Sequence, residues 1–260
     1  MIPEREIKEQ AREFGVPTST IERDYVQNWF LSALRPVNMA LKGGTGIRKV
    51  YIENYRFSDD LDFTLLEPVD ADTLRTAVTD AMVRVRDESG IQFEDEIGFR
   101  QTRNGFKATT RFRILHRGPT SPIKIDLDLT GIDSEQILLP VSDRPVFHHY
   151  SDGLETSVIS YALEEIMAEK IRSIFQRTRS RDLYDIGQLA DRVDHDTVRS
   201  IVHRKCEYKG VRVNAEILLA KRERFSALWH VSLGHQINDI PDFDTVFETV
   251  MREIEGYTTP

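Results

Sequence analysis

Four aspartates in two alternating pairs are the residues of this chain best placed for chemistry. Asp60 and Asp62 alternate with Leu61 and Phe63, and Asp126 and Asp128 alternate with Leu127 and Leu129. Residues two apart on a strand share a face. Each pair therefore presents two carboxylates on one side and apolar groups on the other. Like charges at that spacing repel unless a cation lies between them. Magnesium or manganese takes such hard oxygen ligands and completes its shell with water and substrate phosphates. If the two strands lie side by side, Asp60, Asp62 and Asp126 converge as two-metal phosphoryl transfer requires. Asp128 stays open as an alternative to Asp126. A solvated strand face also accounts for the Asp60–Asp62 pair taken alone. Asp59 points to the opposite face.

Two further constellations suit phosphate. Lys42-Gly43-Gly44-Thr45 follows the apolar run 37–41 and precedes a helical stretch over 45–52. Paired glycines let the backbone turn sharply and approach a ligand closely. The N–H groups of the helix start, with the Thr45 hydroxyl, favour an anion. Arg56 and Ser58 lie between this turn and the first carboxylate pair. The spacing is not that of a P-loop, and a plain turn also explains a Gly-Gly-Thr. In the second constellation, Lys170 follows Ile166 and Met167 at helical spacing. There it snorkels, pairs with a neighbouring glutamate, or neutralises a phosphate as a point cation. Asp182 and Asp185, three apart, share a helix face, and Asp182 could equally cap its helix.

The elements that must position these groups are legible in outline. Residues 3–14 read as a short amphipathic helix. Ser19 and Glu22 fit a capping box, and Ile21, Tyr25, Trp29 with Val26, Phe30, Leu34 predict a helix over 20–34. Residues 61–66 read as a strand and 71–88 as a helix. The region 91–130 is strand-rich, with period-two alternation over 106–114 and 123–130. Beyond Gly153 the pattern is helical, best over 157–177, 182–191, 195–205 and 242–255, and also assigned helical over 206–241. The expected architecture is α+β, a mixed-sheet lobe over 1–150 and a helical lobe over 151–260.

Composition narrows the class. The 260 residues carry 35 Lys and Arg against 43 Asp and Glu, a formal net charge of −8, with 40% hydrophobic residues. That excludes a disordered or collagen-like chain. No long apolar run predicts a membrane span, and the charged start MIPEREIKEQ is not a secretory signal. The single cysteine, Cys206, makes neither an internal disulfide nor a cysteine-based zinc site. A cytoplasmic protein is expected. Charge is unevenly spread: residues 53–96 hold 13 acids and 4 bases, whereas 170–224 hold 14 bases and 8 acids. Such asymmetry hints at nucleic-acid contact behind an acidic mean.

Asp60-Leu61-Asp62-Phe63-Thr64-Leu65-Leu66 also matches the aspartate motif of haloacid-dehalogenase-like phosphatases. In that fold the aspartates end an apolar strand. Here Arg56-Phe57-Ser58-Asp59 precedes them and the apolar residues follow, which counts against that reading.

Five segments in order, Leu41-Lys42-Gly43-Gly44-Thr45, Arg56-Phe57-Ser58-Asp59-Asp60-Leu61-Asp62-Phe63, Ile125-Asp126-Leu127, Ala168-Glu169-Lys170-Ile171 and Arg181-Asp182-Leu183-Tyr184-Asp185, carry a family resemblance. Glu22-Arg23-Asp24-Tyr25 with Trp29 adds to it. Over residues 1–190 the chain resembles the AbiEii-type nucleotidyltransferase toxins of type IV toxin–antitoxin systems, which include the MenT toxins. The resemblance implies a polymerase-β-like nucleotidyltransferase core whose helical lobe completes the active site and contacts RNA. It implies transfer of NMP from an NTP to an RNA acceptor, the tRNA 3′ end, inhibiting translation and growth. Carried over by position, Gly43, Gly44 and Thr45, with Arg56 and Ser58, would serve the nucleotide. Asp60, Asp62 and Asp126 would hold Mg2+ or Mn2+, with Asp126 also the candidate base. Lys170 would contact phosphates, and Asp182 or Asp185 would complete the site. Arg177, Arg179, Arg204, Lys205 and Arg222 would face RNA. A cognate antitoxin is implied. The competing readings are a metal-dependent phosphohydrolase using Asp60 and Asp62, and a non-catalytic binding module that keeps the fold.

Overall fold

The computed structural model describes residues 1–115 and 122–258, the side chain of Thr258 excepted. The part of the strand-rich expectation that falls on 116–121 lies outside the described residues. The chain divides into two units: Met1–Glu135 with Val141–Tyr161, and Gln136–Pro140 with Ala162–Pro260.

The first unit opens with helices α1 (Glu4–Glu13) and α2 (Thr18–Ala33). Pro17 stands at the N-cap of α2, and no side chain caps the helix. The expected Ser19–Glu22 box does not form, because the proline's fixed φ starts the helix earlier. Glu22 is instead buried, with Oε1 accepting from the Leu115 N–H at 3.0 Å. Strand β1 (Met39–Lys42) runs into a one-turn helix α3 (Gly43–Gly46), and a π-helical turn follows over Ile47–Tyr51. Then come β2 (Asp60–Leu65) and α4 (Ala71–Ser89), the latter capped by the Asp70 carboxylate at the Asp72 and Thr73 N–H groups. Strands β3 (Gln92–Phe93), β4 (Gly98–Thr102), β5 (Gly105–Arg113), β6 (Ile123–Thr130), β7 (Ser142–Pro145) and β8 (Ser157–Ser160) complete the unit.

These strands form one mixed eight-stranded sheet in the order β3-β5-β6-β2-β1-β8-β7, with β4 also pairing β5. β2 and β6 are parallel neighbours, and β5 and β6 are antiparallel. Leu61, Phe63, Ile125, Leu127, Leu129, Ala108 and Phe112 are buried in one continuous core. The Thr110 hydroxyl reaches the Met82 sulfur of α4 at 3.4 Å, which sets α4 on that apolar face. The opposite face carries the polar alternates, and the aspartates lie there.

Ser157–Ser160, expected to begin a helix, is a strand. It runs parallel to β1 through the Leu41–Ser160 pair and antiparallel to β7. The first unit extends to Tyr161.

The second unit is helical: α5 (Leu163–Gln176), α6 (Ser180–Leu189), α7 (His195–Tyr208), α8 (Ala215–Ala220), α9 (Arg222–Leu233) and α10 (Phe243–Thr258). Its buried residues include Ile166, Ile171, Leu183, Ile186, Val202, Leu218, Phe225, Trp229 and Val250. The segment 136–140 joins this unit by donating the Leu138 and Leu139 N–H groups to the Glu165 carboxylate, the shortest contact at 2.6 Å. Among the described residues, no helix is long and apolar enough to cross a membrane.

Candidate active site

The parallel pairing of β2 and β6 sets Asp60 beside Asp126 and Asp62 beside Asp128 in register. With alternation on each strand, all four carboxylates share one face. β2 begins at Asp60, so the aspartates lead their strand, opposite to the phosphatase order.

Gly43 and Gly44 follow directly, since Lys42 of β1 pairs with Asp62. Gly43 has φ +69°, and a Cβ there would stand 2.9 Å from Asp62 Oδ2. A Cβ on Gly44 would meet the Arg56 guanidinium at 2.7 Å. The glycine pair is thus what allows Asp62 and Arg56 to press against the turn. Arg56 is buried and donates to the Phe57 carbonyl at 3.0 Å. Thr45 is also buried, and its hydroxyl donates to the Asp60 carbonyl at 2.5 Å. That bond commits the single hydroxyl proton to the backbone, so Thr45 ties the turn to β2. Ser58 is partly exposed, and its carbonyl accepts from Gln27 Nε2 at 3.0 Å. Asp59 turns away and pairs with Arg23 at 3.0 Å.

The carboxylates differ in their partners. Burial pushes Asp60 up to about 6, with Asp62, Asp59 and Asp126 adding repulsion. Asp126 has Lys124 Nζ at 2.6 Å and Lys107 Nζ at 3.1 Å from Oδ2, and Thr109 Oγ1 at 2.7 Å on Oδ1. Burial would raise it, but the hydrogen bonds from Lys124, Thr109 and Lys107 prevail and hold it below the usual carboxylate range. Lys107 also meets Asp128 Oδ2 at 3.2 Å. The sequence reading missed Lys107, Thr109 and Lys124. Their signal was present in the period-two alternation of β5 and β6, which sets them on the aspartates' face.

The donor chemistry fits a divalent cation through Asp60 and Asp62. Two crowded hard-oxygen ligands, with the remaining positions left to water and substrate phosphates, are what magnesium uses. Asp126 is engaged by lysines. Among the described residues, no group of three or more His, Cys, Asp or Glu side chains is arranged to enclose an ion.

In the helical unit, Lys170 Nζ lies 2.7 Å from Asp182 Oδ1 and 2.7 Å from Asp185 Oδ2. Lys170 is buried rather than snorkelling, and α6 grips its ammonium. Arg177 Nε adds a bond to Asp182 Oδ2 at 2.9 Å. Burial opposes ionisation of Asp182, yet Lys170 and Arg177 hold it well below the usual range. Asp182 and Asp185 act together, which is why spacing alone did not separate them.

Of the basic residues assigned to RNA, Arg177, Arg179, Arg204 and Arg222 are exposed, and Arg222 pairs with Asp244 at 2.5 Å. Lys205 is a correction. It is 1% exposed and sits between Glu165 at 2.6 Å and Glu169 at 3.0 Å, on the core-facing side of α7. Cys206 is buried too, and burial pushes its thiol up to about 11, far from a nucleophile at neutral pH.

Residues 29–249 match the family model described as nucleotidyl transferase AbiEii toxin, type IV TA system. No curated protein matches the sequence. Among solved structures, MenT4, a nucleotidyltransferase toxin from Mycobacterium tuberculosis H37Rv, is similar with a TM-score of 0.69. The two share 21% identity, over 100% of this chain and 91% of that one. JHP933 from Helicobacter pylori gives a TM-score of 0.62 at 16% identity, with 93% of each chain covered. At these identities the likeness to solved structures is one of fold.

Proposed function

Because the chain belongs to the AbiEii family of nucleotidyltransferase toxins from type IV toxin–antitoxin systems, we propose that it moves an NMP group from an NTP to the 3′ end of an RNA acceptor, a tRNA. The family makes it a nucleotidyltransferase and implies a cognate antitoxin. The RNA target, the metal requirement and the resulting block of translation in the cytoplasm are this reading's own content.

The observation that carries it is the register of Asp60 with Asp126 and Asp62 with Asp128, beside a glycine turn that only glycine accommodates. Asp60 and Asp62 would hold Mg2+ or Mn2+ together with the triphosphate. A bound divalent cation would supply charge neutralisation at the transferring phosphoryl group. The acceptor 3′-oxygen forms a bond to the α-phosphorus as the bond to the β-phosphate breaks, and pyrophosphate leaves. Asp126, kept ionised by its lysines and Thr109, is the carboxylate nearest in register to Asp60 and the assigned acceptor of the 3′-hydroxyl proton. Gly43 and Gly44 let Arg56 and Asp62 crowd the turn, and Ser58, partly exposed before β2, stands as a phosphate donor. Within the helical unit, Lys170 is the assigned phosphate cation, and Asp182 and Asp185 orient its ammonium. Arg177, Arg179, Arg204 and Arg222 are the assigned RNA contacts, and binding through them should weaken with salt.

The test is incubation with each labelled NTP, magnesium and total RNA, with pyrophosphate release followed in parallel. Label on RNA 3′ ends that disappears in Asp60→Ala supports the reading. Orthophosphate release without RNA labelling favours a phosphohydrolase. Growth inhibition untouched by Asp60→Ala favours a non-catalytic module.

A further inference from the structure

The transferase site has a cation that neither the family motifs nor the carboxylate pattern identifies. Lys107 of β5 is the register partner of Asp128, and its Nζ bridges Asp126 Oδ2 at 3.1 Å and Asp128 Oδ2 at 3.2 Å. Its side chain is 20% exposed, against 52% for Lys124, the other ammonium on Asp126. Lys107 therefore lies over the carboxylate face, held at a fixed place by two anchors.

We propose that Lys107 is a triphosphate-binding residue of the transferase site, aimed by Asp126 and Asp128. The inference rests on the nucleotidyltransferase reading above and extends it to a residue outside the family motifs.

Two observations carry it. First, β5, β6 and β2 are consecutive in the sheet. Neighbouring strands lie about 4.8 Å apart, so a lysine on β5 that reaches β6 carboxylates ends about one strand spacing from the Asp60–Asp62 pair. Second, Lys107 Nζ is fixed on the carboxylate face by contacts of 3.1 Å with Asp126 and 3.2 Å with Asp128. A nucleotide arriving with a divalent cation brings more negative charge than the cation neutralises. A cation held by Asp60 and Asp62 would leave surplus negative charge to an oriented ammonium on the same face. A lysine is suited to this as a compact point charge with three donors. Asp126 and Asp128 are then positioning residues for Lys107, a role distinct from ligating metal.

The experiment measures binding of a non-hydrolysable NTP, the matching NMP and the nucleoside to the full chain by calorimetry, with and without magnesium. It compares the unmodified protein with Lys107→Gln, Lys107→Arg and Lys124→Gln, alongside melting curves. The expected result is about tenfold or greater weakening of NTP binding in Lys107→Gln, the scale of one charge-assisted hydrogen bond. Nucleoside binding should be unchanged, and Lys107→Arg should recover much of the loss. Equal NTP affinity in Lys107→Gln and the unmodified protein overturns the inference alone. Equal weakening by Lys124→Gln also overturns it, since bulk charge then suffices. An unmodified protein that binds no NTP overturns the transferase reading and this inference together.

Discussion

Asp60 and Asp126 are register partners on parallel strands, yet only one of them is neutralised by the protein. Asp126 has two lysines and a threonine hydroxyl on its two oxygens. Asp60 has burial and three neighbouring carboxylates, and its carboxyl is pushed up to about 6. The face is therefore polarised along the sheet: a satisfied carboxylate on β6 beside a frustrated one on β2. Carboxylates perturbed in this way cluster at functional sites.

A stability signature follows. Because Asp60 titrates higher when folded, the native chain binds more protons than the unfolded one between about pH 4 and 6. Stability from this group falls as pH rises through that window and stays low above it. Asp60→Asn should therefore raise the melting temperature at pH 7.5 in chelator, the gain in stability being at most about 3 kcal/mol and more realistically about 1. Magnesium should raise the melting point of the unmodified protein and leave the variant nearly unmoved. Transferase activity should be lost in the same variant. A lower melting point for Asp60→Asn in chelator would contradict the electrostatic account.

The glycine turn gives a second expectation. Gly43→Ala forces a Cβ to 2.9 Å from Asp62 Oδ2 at φ +69°. The left-handed conformation alone costs about 1–2 kcal/mol, and Asp62 must shift to make room. Activity should fall at least about tenfold, the effect of roughly 1.4 kcal/mol on a barrier, while the fold survives in circular dichroism. Full activity in the alanine variant would mean that Asp62 is not positioned by that contact.

The alternation over 106–114 and 123–130 and the Asp60–Asp62 pair were legible because a strand's two faces differ in polarity. The pairing of strands was not, since register depends on partners far apart in the chain. Lys107 and Lys124 were visible as polar alternates, but nothing local showed that they reach Asp126. Ser157–Ser160 was read as helix because four residues are too few to display a period, and the helical stretch of α5 follows closely. The Ser19–Glu22 pattern was present, but Pro17 set the helix start and Glu22 was drawn to the Leu115 N–H. Counting bases over 170–224 could not separate an exposed Arg204 from a buried Lys205 one residue later.

That adjacent pair provides a direct contrast. Lys205→Met leaves Glu165 and Glu169 without the ammonium they share at 2.6 and 3.0 Å. Removing one partner from a buried ion cluster costs about 3–5 kcal/mol. The variant should melt far lower, and where it folds its RNA affinity should be normal. Arg204→Ala should leave the melting point within about 0.5 kcal/mol of unchanged. It should weaken RNA binding and reduce its salt slope by about one unit. The reverse pattern, with RNA binding lost through Lys205 at constant stability, would restore Lys205 to the surface.

The last expectation concerns the helix motif Glu22-Arg23-Asp24-Tyr25. Asp24 is buried, with Arg48 Nε at 2.6 Å and Lys49 Nζ at 2.7 Å on Oδ1, and the Tyr150 hydroxyl on Oδ2 at 2.9 Å. Arg48 and Lys49 belong to the π-helical turn that continues from Gly43–Gly46. The motif on α2 therefore anchors the far end of the glycine turn. Burial works against the Asp24 carboxylate, but Arg48 and Lys49 overcome it and hold it far below its ordinary value. A depressed carboxyl contributes stability that is fully present above its unfolded value of about 3.9 and lost as pH falls below it. Acid unfolding should thus be delayed by this contact, and Asp24→Asn should lower stability by about 3–5 kcal/mol at neutral pH. The difference from the unmodified protein should shrink as pH drops below about 4. If the turn loosens as this geometry requires, KM for the NTP should rise more than kcat falls at a temperature where the variant is folded. A variant with unchanged KM would show that Asp24 holds the fold without setting the turn.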